Sequence, residues 1–170
     1  PNNLTLLFSA GPGDGDVRGI NLLAFPKLLK RVVGGHFGLI PRISELALND
    51  EIEAYNIPQG IISHLYRDIA SGKPGVFTKV GLGTFAGPRI EGGKVNKSSK
   101  ENLIELINIK EEEYLFIPTF PLDIAILRGS VADKNGSISM RNEALIIDHL
   151  APAMAVKNSG GTVIVLVEPV

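Results

Sequence analysis

The sequence holds no cysteine and no tryptophan. Without cysteine there is no disulfide, no thiolate nucleophile and no sulfur ligand for a metal. An uncrosslinked chain suits a reducing compartment, and a cytoplasmic location is the expectation. Aromatic residues reach only 6%, which argues against the ring platforms of single-strand nucleic acid binders. Neither sign of charge is in excess: 17 Lys and Arg face 18 Asp and Glu, leaving −1. That balance provides no electrostatic footprint for nucleic acid or an anionic membrane. No run reaches the ~18 apolar residues that a membrane-spanning helix requires.

Several catalytic signatures are missing as well. No His-Glu-x-x-His, Gly-x-Ser-x-Gly or phosphate-loop pattern occurs. His36, His64 and His149 lie far apart and lack metal-ligand spacing, so they read as structural. His36 stands out among them because it follows a Gly-Gly strand end. Asp14 and Asp16 are two carboxylates without further ligands, which is a weak basis for a cation site. Asp123, Arg128 and Asp133 read as ion pairing near a strand end. No metal and no permanently bound cofactor is expected.

What is present is an alternation of short apolar runs with glycine-rich ends. Leu4 to Phe8 reads as a buried parallel strand. Ser9-Ala10-Gly11-Pro12-Gly13-Asp14-Gly15 follows it. Those residues could form a backbone nest for a carboxylate or phosphate, or simply a tight turn. Asn21 to Phe25 reads as a short helix ended near Pro26, and Arg31 to Val33 as a strand ended by Gly34-Gly35. Ile40 to Leu48 is a helix with Pro41 in its first turn, where proline is tolerated.

The organising stretch runs from Tyr55 to Phe85. A strand from Ile52 to Ile57 enters Pro58-Gln59-Gly60. Ile61, Ile62, Leu65 and Ile69 then recur at helical spacing until Gly72-Lys73-Pro74-Gly75. A second strand from Val76 empties into Gly81-Leu82-Gly83-Thr84. Strand, helix, strand reads as a parallel crossover unit, which places ligands at the carboxyl ends of its strands.

Beyond Ala86 the texture turns loop-forming and charged. Leu103 to Ile109 and Tyr114 to Ile117 read as an antiparallel pair turning at Glu111-Glu112-Glu113. Together they suggest an insertion over about 86–120. Leu122 to Leu127 reads as a core strand, and Asp133-Lys134-Asn135-Gly136 as a turn before Ser137 to Met140. Ala144 to Val156 is helical in pattern, but Pro152 predicts a kink or a restart. Thr162 to Val167 is the last strand. The fold class is α/β: an open, mostly parallel sheet with helices on both faces and a small antiparallel insertion.

Tyr55-Asn56-Ile57-Pro58-Gln59-Gly60 with Ser63-His64-Leu65 and Arg67-Asp68-Ile69-Ala70, followed by Gly81-Leu82-Gly83-Thr84, closely resembles the alpha half of the family I coenzyme A transferases. The resemblance covers nearly all 170 residues. It is nearest to single-chain short-chain acyl-CoA transferases, in which alpha and beta halves are fused. Val33-Gly34-Gly35-His36-Phe37-Gly38 only superficially resembles the family's Gly-Gly-Phe signature; its place in the order of elements makes it a later strand end.

The resemblance implies transfer of CoA between a short-chain acyl-CoA and a carboxylate such as acetate or an acetoacetate-type acid. The implied route is a glutamyl-CoA thioester on a glutamate outside this chain, with coenzyme A as substrate. The first strand-helix unit and the beta half are expected to lie elsewhere, so this segment alone is expected to be inactive. Gln59 would be the oxyanion donor. Pro58, Gly60, Gly81, Leu82, Gly83 and Thr84, with Ser9 and Gly11, would line the substrate. Read without the resemblance, Gln59 is more readily a helix N-cap or a surface residue. The implied partners are acyl-CoA, the carboxylate, the beta half and further copies in a homo-oligomer. The competing readings are a sugar-phosphate isomerase, which needs a convergent phosphate site, and a ligand-sensing domain of the same broad fold, which needs a basic DNA-binding helix pair. Neither feature is visible.

Overall fold

Three apolar runs make a parallel sheet. Leu4–Phe8 (β1), Leu29–Gly34 (β2) and Glu53–Asn56 (β3) pair in the order β1-β2-β3, with Val32 opposite Leu6 and Ala54. The computed structural model from which this is taken describes residues 2–168. Alternate residues of a strand face opposite ways, and here both faces are buried: Val32 and Ala54 on one, Val33 and Tyr55 on the other. Helix α1 (Pro41–Leu48) covers the first face, setting Ile43 and Ala47 among Phe8, Leu29, Val32 and Ala54. On the second face Arg31 lies 5.4 Å over the Tyr55 ring and pairs with both Glu53 and Glu101. The Tyr55 hydroxyl accepts a hydrogen bond from the Glu101 N–H at 3.1 Å.

The chain forms two compact units. The first runs through His64 and takes in Val76–Pro118; the second holds Leu65–Gly75 and the residues from Thr119 on. Helix α2 (Gln59–Ala70) follows β3. Strand β4 (Gly75–Thr78) then joins β5 (Glu105–Ile109) and β6 (Glu112–Pro118) in the order β4-β6-β5. β5 and β6 are antiparallel, as their alternation suggests.

The expected crossover from β3 to β4 is therefore not formed. The edge of β3 is already taken by residues 93–95, which run alongside it antiparallel. Asn56 N–H donates to Gly93 O at 2.7 Å, and Val95 N–H to Ala54 O at 2.9 Å. Ser99, buried in the loop beyond, fastens the same strand: Ala54 N–H donates to its Oγ at 2.8 Å. Asn96 adds amide bonds to Ala47 O and Ile52 O at 2.7 and 2.8 Å. Ser99→Ala leaves the Ala54 N–H buried without a partner, at a cost of about 1–3 kcal/mol. A thermal melt should show the midpoint lowered by about 2–4 °C per kcal/mol. An unchanged midpoint would mean the loop is not held by this bond.

In the second unit Ile124–Arg128 (β7) and Thr162–Leu166 (β10) pair in parallel, and Val131–Ala132 (β8) with Ile138–Ser139 (β9) antiparallel. The Asp133–Gly136 turn is present: Asp133 accepts from the N–H groups of Asn135 and Ser137, both at 2.8 Å. Helix α3 is Leu150–Asn158, shorter than the expected Ala144–Val156. Pro152 falls in its first turn, where a backbone N–H has no partner to lose. The expected helix at Asn21–Phe25 is a 3-10 turn at Ile20–Leu23. The turn expected at Glu111-Glu112-Glu113 lies at Lys110-Glu111, both with positive φ, and frees Glu112 and Glu113 to join β6.

Candidate active site

The carboxyl ends of β1, β2 and β3 meet where the sequence places its glycines. Gly35 N–H donates to Phe8 O at 3.2 Å, and Ile57 N–H to Gly34 O at 3.2 Å. Gly35 is the pivot of this end. A Cβ built on it would overlap the Ser9 carbonyl oxygen and stand 2.9 Å from both Cα and Cβ of Gln59. Only a residue without a side chain lets Ser9 and Gln59 close on the β2 end from both sides. The φ of Gly35 is not positive, so the requirement is one of space.

Gln59 is the first residue of α2 and is exposed. Its amide makes no hydrogen bond to another described residue, so the N-cap reading does not hold. Pro58 O instead accepts from the Ile61 and Ile62 N–H groups at 2.8 and 3.3 Å, which starts the helix by backbone alone. Gly60 has open space around it. The arrangement leaves a neutral donor beside bare backbone at a sheet end.

The loop after β1 divides in two. Its later part is internally tied. Asp14 Oδ1 accepts from Arg18 N–H at 2.9 Å and from Asp16 N–H at 3.0 Å. These bonds, that from Arg18 first, hold the Asp14 carboxyl below its usual value. This is a tight turn, and Asp14 is committed to it. Asn21, buried and missed by the sequence reading, locks the turn in place. Its amide donates to Arg18 O and Leu39 O at 3.0 and 3.1 Å, and its Oδ1 accepts from Arg42 N–H at 3.2 Å. The earlier part, Ser9 and Gly11, stays at the sheet end beside Gly35 and His36.

Gly81, Leu82, Gly83 and Thr84 form a turn beyond β4, beside β6. A Cβ on Gly81 would stand 3.1 Å from Leu115 Cδ1 and 3.3 Å from Ala86 Cβ. Gly81 and Gly83 have φ of 95° and 70°, so glycine serves the turn itself. The Thr84 hydroxyl donates to Gly81 O at 2.8 Å and so closes that turn. The loop connects to the β3 end through Gly93, whose N–H donates to Phe85 O at 3.1 Å. The structure thus brings Ser9, Gly11, Pro58, Gln59 and Gly60 to one end, and sets Gly81–Thr84 in a turn beyond β4. Among the described residues no three His, Asp or Glu side chains gather as metal ligands. Among the described residues no helix is long and apolar enough to cross a membrane.

Comparison with known proteins places this geometry in a class. The family model described as coenzyme A transferase matches residues 1–170, and the chain belongs to that family. The caffeate CoA-transferase of Acetobacterium woodii is 46% identical over 99% of this chain and 32% of that protein. The acyl-CoA transferase of Escherichia coli O157:H7, solved as the apoenzyme, superposes with a TM-score of 0.95 at 41% identity, over 98% of this chain and 32% of that one. The same transferase has been solved as a thioester complex with CoA, again at a TM-score of 0.95, over 98% of this chain and 33% of that one. The alpha subunit of the acetoacetyl-CoA:acetate/butyrate CoA transferase of Clostridium acetobutylicum is 32% identical over 70% of this chain and 48% of the subunit. The chain spans about a third of the length of the first two of these relatives.

Proposed function

We propose that this chain is most of the alpha half of a CoA-transferase acting between a short-chain acyl-CoA and a carboxylic acid. In the active enzyme it forms the wall that holds the acyl carbonyl. The observation that carries this reading is the Gln59 amide, exposed and unbonded beside Gly35 at the sheet end.

The chemistry is the one that the family resemblance implies. A glutamate supplied by the beta half attacks the thioester carbonyl, and the C–S bond breaks to release CoA thiolate and leave an acyl-glutamyl anhydride. The thiolate then attacks the glutamyl carbonyl; the acyl carboxylate departs and a glutamyl-CoA thioester remains. The acceptor acid reverses the sequence. Each attack creates an oxyanion, and a fixed neutral donor stabilises it. Gln59 supplies that donor, Pro58 and Gly60 hold it, and Ser9 and Gly11 line the acyl group. Gly81-Leu82-Gly83-Thr84 would form the facing wall. An acetate- or acetoacetate-type acid, a cytoplasmic location and a homo-oligomer complete the reading.

The test is intact-mass measurement. Incubated with acyl-CoA alone, the complete enzyme should gain the mass of one CoA less one water, on a glutamate outside these 170 residues. The isolated segment, given acetyl-CoA and carboxylate acceptors, should gain none and turn nothing over. Turnover by the segment at the ~1–10³ s⁻¹ of ordinary enzymes would overturn the reading.

A further inference from the structure

His36 is the side chain at this sheet end that the proposed chemistry leaves unused. It is exposed, and its ring makes no hydrogen bond to another described residue. Its seat is nevertheless closely shaped. A Cβ on Gly11 would stand 2.9 Å from His36 Cδ2, and one on Gly38 would stand 2.8 Å from Nε2 and 2.9 Å from Cε1. Neither glycine has positive φ. The ring thus lies against both glycines. The exposed imidazole rests over bare backbone, and Nδ1 is not among the atoms nearest either glycine.

The neighbours of that seat define its use. His36 directly follows Gly35, the residue on which Ser9 O and the Gln59 Cα converge. Imidazole and amide therefore flank one stretch of bare backbone. An acid–base role has no work to do in the reaction as proposed. The nucleophiles are carboxylates and thiolate, and no proton moves. What the reaction does require is a second donor, because a carboxylate entering the cleft gives up water at both oxygens. An imidazole carries at least one N–H in either protonation state.

We propose that His36 binds the free carboxylate of the acceptor acid, its ring N–H donating to one oxygen while the Gln59 amide donates to the other. This inference rests on the CoA-transferase reading. In the complete enzyme, His36→Ala should raise KM for the acid about 10–100-fold, the value of one hydrogen bond to a charged group. KM for acyl-CoA, held mainly by its CoA part, should stay as it was. His36→Phe fills the seat without a donor and should match the alanine variant. His36→Asn, whose amide reaches the Nδ1 position, should recover most of the affinity, and His36→Gln should not. Equal KM changes for acid and acyl-CoA, an unchanged KM for the acid, or equal behaviour of the Asn and Phe variants would each overturn the proposal. Absence of the covalent CoA adduct in the parent enzyme would instead overturn the reading beneath it.

Discussion

Replacing Gln59 by alanine in the complete enzyme should cut turnover ~10²–10³-fold, the usual result of removing one oxyanion donor, or roughly 3–4 kcal/mol of transition-state stabilisation. The amide's bond is strongest when the carbonyl oxygen acquires charge. The rate constant should therefore fall more than apparent affinity for acyl-CoA. Gln59→Glu should be slower still, because an ionised carboxylate has no proton to donate and repels the oxyanion. Neither variant should lower the thermal midpoint, since the side chain is exposed and unbonded within the described residues. Turnover and thermal midpoint of both variants, measured beside the parent, test this. Near-parental turnover in the alanine variant removes Gln59 from the mechanism. A midpoint that falls in step with the rate makes it a structural residue.

Gly35→Ala should harm both rate and stability. Its new Cβ overlaps the Ser9 carbonyl oxygen on one side and meets Gln59 backbone at 2.9 Å on the other. Both neighbours are main chain, so no rotamer change relieves the contact. Either the β1 loop or the start of α2 must shift. Overpacking of this kind costs about 1–3 kcal/mol, or about 2–4 °C of midpoint per kcal/mol. A displacement of ~1 Å at Gln59 is enough to lose ~10²-fold in rate. Gly60→Ala, one residue beyond Gln59, meets nothing within 4 Å and should keep its midpoint. Measuring the two midpoints separates crowding at the sheet end from a general intolerance of alanine there. If Gly35→Ala keeps the parental rate and midpoint, the strand ends are not held together by that contact.

The sequence was legible wherever local chemistry decides structure. Leu4 to Phe8, the run before Gly34-Gly35, and Thr162 to Val167 are β-branched or apolar enough to be strands in any context. The 3.6-residue spacing from Ile61 to Ile69 specified α2. Asp133 to Gly136 specified a turn through its own side-chain bonds. The family, too, was written in a contiguous motif, Tyr55 to Gly60, followed by a glycine loop. Helix ends were less legible. Pro152 showed that the last helix is interrupted, but the positive φ of Asp148 and the start at Leu150 depend on neighbours distant in sequence.

What only the tertiary structure decided was partnership. Strand β3 carries equal hydrogen-bonding capacity on both edges, and nothing in Glu53 to Asn56 says which segment takes the second edge. Residues 93–95 take it, held by Asn96 and Ser99 from a lysine- and serine-rich stretch that reads as solvated loop. That choice sends β4 to β6 and carries Gly81–Thr84 with it. The site was decided in the same way. Gly34-Gly35 announced a strand end, and Pro-Gln-Gly announced another. That Gly35 must lack a side chain because Ser9 and Gln59 close on it is a packing fact between residues 9, 35 and 59. The seat of His36 between Gly11 and Gly38 is another. Contacts between segments so far apart leave no periodic mark in the chain, because Gly35 is required by neighbours that only the folded backbone delivers.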